Sequence, residues 1–79
     1  MHEMAMVKDM VAILDREVAD PEVGDVKTVY LEVGEYRYIV SEIMDSCFRA
    51  YPKSDKLKNA SLKIDVVPGR DLVIKGVEW

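Results

Sequence analysis

Val26-Lys27-Thr28-Val29-Tyr30-Leu31-Glu32-Val33-Gly34 sets Val29, Leu31 and Val33 two residues apart, the step at which side chains share one face of a β-strand. The spacing predicts a strand over 26–33 that Gly34 ends. The period differs on both sides of it. Upstream, Val7, Met10, Val11, Leu14 and Val18 recur at three- and four-residue steps, with Met6 and Ile13 widening the stripe. Lys8, Asp9, Asp15, Arg16 and Glu17 lie mostly opposite, so a helix is expected over 3–19. Pro21 and Gly24 break it. Downstream, Val40, Ile43, Met44, Cys47, Phe48 and Tyr51 fall on one side of a second helix over 40–51, which Pro52 stops.

Farther on, Leu62, Ile64 and Val66 alternate with Lys63 and Asp65 in a second strand. Pro68-Gly69 makes a turn, and the β-branched stretch 71–79 supplies a third. The link is so short that the last two strands are expected to pair as an antiparallel hairpin. The order α-β-α-β-β predicts an α+β domain, with two helices packed on one face of a three-stranded mixed sheet. A parallel pairing of the first two strands through the second helix would make a right-handed crossover.

Seventy-nine residues suit a single domain over 1–79, and chains of this size bury only roughly 60% of their unfolded surface. A composition 49% hydrophobic and 33% charged is that of a soluble globular domain. Fifteen acidic against eleven basic residues, net −4, argue against nucleic acid as a partner, because phosphate binding needs clustered Lys and Arg. The densest basic stretch, 53–58, contains Asp55 and reads as a solvated loop. No apolar run approaches the roughly 20 residues of a membrane span. Glu3, Lys8 and Asp9 interrupt any signal-peptide pattern, so a cytoplasmic location is expected.

Catalytic chemistry is not expected. The chain holds one His, one Cys, no phosphate-cradling glycine loop and no Ser with an evident base. Carboxylates such as Asp9 and Glu17 are spaced like an exposed helix face. Cys47, alone beside Met44 and Phe48, reads as a core side chain, and it excludes both a disulfide framework and any multi-cysteine zinc site. Met4, Met6 and Met10 fall on or near the packing face of the first helix. Tyr36 and Tyr38 flank Arg37 in the loop before the second helix, either as a partner-binding patch or as ordinary loop packing.

His2 offers distinctive chemistry. A second-position histidine commonly belongs to a frayed terminus without a role. Here, however, the amine of Met1, the amide nitrogen of His2 and its imidazole can close adjacent chelate rings around one metal. The amide of Glu3 can add a fourth nitrogen or replace the amine. Nitrogens in a plane suit Ni(II) or Cu(II) rather than tetrahedral zinc. The first amides of a helix lie outside its own hydrogen-bond ladder and can be given up to a metal.

Several segments resemble the HypA/HybF family in order and spacing. They are Met1-His2-Glu3-Met4 with the first helix, Leu31-Glu32-Val33-Gly34-Glu35, Ser41-Glu42 (Pro-Glu in many members) and Cys47-Phe48. Lys58-Asn59-Ala60-Ser61-Leu62-Lys63-Ile64 resembles the family's segment before its zinc domain, and Asp71 through Glu78 its C-terminal strand. The family inserts a zinc-binding domain with two CxxC pairs between its last two strands. Here Val67-Pro68-Gly69-Arg70 closes that gap, so the resemblance implies a nickel-binding domain with the zinc domain absent at 68–70.

It further implies a non-catalytic metallochaperone for Ni(II) delivery in [NiFe] hydrogenase maturation. Met1, His2 and Glu3 would be its metal-binding residues, nickel a transient cargo, and no zinc is expected. The implied partners are a HypB-type GTPase, docking at the first helix, and the [NiFe] hydrogenase large-subunit precursor. The alternative is a metal-independent interaction or regulatory module that binds the GTPase or a hydrogenase subunit.

Overall fold

The computed structural model describes residues 2–79, the first of these by its backbone alone. Helix α1 spans His2–Val18, strand β1 Thr28–Gly34, helix α2 Ser41–Ala50, strand β2 Ser61–Val67 and strand β3 Leu72–Glu78. Short 3-10 turns at Glu35–Arg37 and Asp55–Leu57 join them. The α-β-α-β-β order and the α+β class are as expected, and each principal element lies within two residues of its expected bounds.

Alternation in β1 does what its sequence implies. Val29, Leu31 and Val33 are buried, while Thr28, Tyr30 and Glu32 are partly exposed. Helix α1 brings Met6, Val7, Met10, Val11, Leu14 and Val18 to the same core, and α2 brings Met44, Cys47 and Phe48. Three expected face residues, Ile13, Val40 and Ile43, sit differently. Ile13 is 43% and Ile43 38% exposed, since a helix packed on one side covers a stripe narrower than its full apolar set. Val40, the residue before α2, is also exposed, as is Met4.

The hairpin expectation is overturned. The strand order is β2-β1-β3, so the last two strands flank β1 and do not pair with each other. β1 runs parallel to β2, with Leu31 opposite Ile64, and antiparallel to β3, with Val33 opposite Leu72. The link between β2 and β3 therefore crosses the end of β1, and Gly34 makes the crossing possible. A Cβ there would lie 2.3 Å from the Gly69 carbonyl oxygen and 2.5 Å from the Arg70 nitrogen. The Gly34 N–H donates to the Asp71 carbonyl (2.7 Å), the Tyr36 N–H to that of Gly69 (3.0 Å), and Arg37 Nε to that of Arg70 (2.5 Å). Gly69 turns the chain at φ +109°, a conformation that glycine adopts at little cost. A short loop is compatible with a hairpin, but β1, the most buried of the three strands, takes the centre and leaves the more exposed β2 and β3 at the edges.

The basic stretch 53–58 is also more than a solvated loop. Lys53 Nζ donates to the carbonyls of Phe48 (2.7 Å) and Tyr51 (3.0 Å) at the end of α2. Lys56 Nζ donates to those of Val18 (2.7 Å) and Asp20 (3.0 Å) at the end of α1. Each ammonium meets the negative end of a helix dipole and carbonyls that lack helical partners. Leu57, the next residue, is fully buried.

Candidate metal-binding terminus

Of the three residues expected to hold a metal, Met1 lies outside the described residues, and so does the side chain of His2. The backbone of His2 is the first residue of α1. Glu3 is described in full, and its carboxylate is not turned to solvent. It is 7% exposed, and its Oε2 accepts the Val40 N–H at 2.9 Å. Residue 3 stands on the same stripe as Val7, Met10 and Leu14, at steps of four, three and four, so the helix that buries those three also buries it. The sequence points to the backbone nitrogen of Glu3 as a donor, whereas the structure also gives its carboxylate a part. The signal was its place on the apolar stripe.

Glu3 reaches the segment that leads into α2. Tyr38 there adopts a left-handed backbone (φ 53°, ψ 42°) and closes the 3-10 turn at Glu35–Arg37. Its ring meets that of Tyr36 edge-on, with centroids 6.4 Å apart, and both are largely exposed, at 55% for Tyr36 and 77% for Tyr38. The two rings therefore pack on each other while leaving most of their surface open. Together with Met4, Val40 and Ile43, they place much of the exposed apolar surface on the segments that carry Glu3 and Val40.

Elsewhere the chain offers little metal or acid–base chemistry. Among the described residues, no group of three or more His, Cys, Asp or Glu side chains comes together. Cys47 is a free, buried thiol at 6% exposure in the core cluster with Met44 and Phe48. A shallow depression on the open sheet face is lined by Tyr30, Glu32, Asp65 and Lys75. Tyr30 OH donates to Glu78 Oε1 at 3.4 Å, and Lys75 lies 4.0 Å from Glu32. These are pairings across exposed strands, worth about 0–1 kcal/mol each. No helix among the described residues is long and apolar enough to cross a membrane.

A protein-family model described as HypA, hydrogenase/urease nickel incorporation, metallochaperone, matches residues 1–72. Proteins named hydrogenase maturation factor HypA are similar over most of the chain. That of Rhodopseudomonas palustris (strain TIE-1) is 35% identical over 69 residues, 87% of this chain and 61% of the relative. That of Geobacter sulfurreducens is 36% identical over 70 residues, 89% and 61% of the two chains. That of Azotobacter chroococcum is 33% identical over 70 residues, 89% and 62%. This chain thus spans about three-fifths of the length of the curated relatives it matches. No solved structure matches it.

Proposed function

The chain belongs to the HypA family, and from that premise we propose that it is a nickel-binding metallochaperone domain serving [NiFe] hydrogenase maturation. It carries Ni(II) as cargo and catalyses nothing. Its donors are the imidazole and amide nitrogen of His2, the amide of Glu3, and the amine of Met1 or a solvent molecule. The observation that carries this reading is a coincidence of position: Met1-His2-Glu3 lies inside the matched region, and α1 begins at His2. The donor chemistry fits. Planar nitrogens suit Ni(II).

On this reading the turn at 68–70 takes the place of the zinc-binding domain that the resemblance implies for the family, and one Cys with one His cannot build a four-ligand zinc site. The partners are a HypB-type GTPase, met through α1, and the hydrogenase large-subunit precursor. The domain works in the cytoplasm.

A nickel titration of untagged protein tests the proposal. A planar nitrogen complex is low-spin and diamagnetic, with a weak visible absorption. His2→Ala is expected to abolish it, and an N-terminal extension to weaken it. Affinity should rise with pH, since the donors must lose protons to bind. A His2→Ala variant that binds nickel as well as the parent would reject the reading.

The exposed Tyr36, Tyr38, Val40 and Ile43 favour one other reading, a module that docks the GTPase or a hydrogenase subunit without metal. A Tyr36→Ala/Tyr38→Ala variant that loses partner binding while the metal-free parent keeps it would support that alternative.

A further inference from the structure

We propose that the Glu3 carboxylate is a positioning residue for nickel capture, holding the first turn of α1 against the start of α2 so that the nitrogens of residues 2 and 3 are fixed in place. The inference rests on the nickel reading above and assigns a role to a side chain that the reading leaves unused.

Helix α2 cannot cap itself. Val40 at its N-cap position has no acceptor in its side chain, and no side-chain cap bond is made there. Ile43 occupies the third helical position, where a capping box would place Glu or Gln to reach back to the N-cap N–H. Glu3 makes that bond from a different helix, at 2.9 Å to the Val40 N–H. Its charge also lies at the positive end of the α2 dipole.

The arrangement has a cost. A carboxylate on the stripe shared with Val7 and Met10 loses most of its hydration, which is unfavourable unless hydrogen bonds replace it. A Ser or Asp at position 40 would cap α2 without burying any charge. What the cross-helix bond achieves beyond capping is a tether on the first turn of α1, the part of a helix that ordinarily frays. Chelate rings through two successive backbone nitrogens need that turn in a single conformation, and ordering it before the metal arrives removes the entropic penalty from binding. Linkage makes the effect reciprocal: nickel in the first turn should tighten the Glu3–Val40 bond.

The test uses the untagged full chain and its Glu3→Ala, Glu3→Gln and Glu3→Asp variants. Nickel is titrated calorimetrically, and the Val40 amide is followed by ¹⁵N NMR with and without metal. Glu3→Ala should shift the Val40 amide, speed its exchange, and weaken nickel binding by about tenfold or more, the usual effect of losing an outer-shell partner. Glu3→Gln keeps an acceptor oxygen and should restore most of both. Nickel added to the parent should slow exchange of the Val40 amide. If Glu3→Ala does not fold, Glu3→Asp carries the test, because it keeps the charge but is one methylene too short to reach Val40. A folded Ala or Asp variant with the parent's nickel affinity overturns the positioning role, as does a Gln variant no better than Ala. A parent chain that takes up no nickel fails the metallochaperone reading itself, and the Val40 amide response without metal distinguishes that failure from the loss of the clamp.

Discussion

Gly34 shows how little of a residue's importance its own side chain need carry. Any Cβ at that position meets the Gly69–Arg70 backbone, which cannot swing aside as a flexible side chain can. Gly34→Ala should therefore lower stability by about 3 kcal/mol or more, the upper range for overpacking, measured by urea unfolding. Gly24 is a useful contrast. An added Cβ there would touch the edge of the Trp79 ring at 3.0 Å, and that ring is 55% exposed and can move, so Gly24→Ala should cost far less. Cys47→Ala should leave nickel uptake unchanged and cost about 1 kcal/mol, the ordinary result for trimming a small core side chain. Glu3 was named from the sequence for its amide. Its carboxylate was legible only in hindsight, because a charge on an apolar stripe says that it is buried but not what it meets.

Among the elements, periodicity decided what could be read in advance. The two-residue step of Val29, Leu31 and Val33 and the three- and four-residue steps from Val7 to Val18 set both type and buried face, since each is a geometric property of one segment. Pairing was not legible in the same way. The four residues from Val67 to Arg70 are compatible with a hairpin, and only the position of β1 between the two later strands excludes it. The lysines at 53 and 56 looked like solvated charge because the helix ends they cap are distant in sequence for one and adjacent for the other. Replacing Lys56 by Met keeps the aliphatic stem and removes the donor to the Val18 and Asp20 carbonyls. The expected loss is about 1–2 kcal/mol, with faster amide exchange confined to the last turn of α1. Phe48→Ala, at the centre of the α2 contact, should cost about 3–5 kcal/mol by the same unfolding measurement.

For the molecule as a whole, the proposed metal site lies at the terminus and asks nothing of the core. The described core is built of aliphatic side chains, Phe48, Cys47 and methionines, so a chelator should leave the thermal midpoint where it was. A large drop would mean that a metal holds the fold, contrary to the zinc-free reading. The proposed GTPase surface on α1 includes Lys8 and Arg16, both exposed. Charge reversal at either should weaken partner binding, most visibly at low ionic strength, without changing the circular dichroism spectrum. Unchanged affinity in both variants would move the surface to the Tyr36–Tyr38 loop.

The placement of β1 in the middle of the sheet also sets the order in which the chain can finish folding. Its two edges are closed by strands that begin at Ser61 and Leu72, so neither closure is local, and both must wait for long loops to form. Until the 68–71 link crosses Gly34 and β3 docks, one edge of the most buried strand stays open to any neighbouring chain. Refolding by dilution from urea should therefore lose yield steeply as protein concentration rises. A variant slowed at the crossing, Gly34→Ala, should aggregate at concentrations from which the parent recovers, and light scattering during refolding would register the difference.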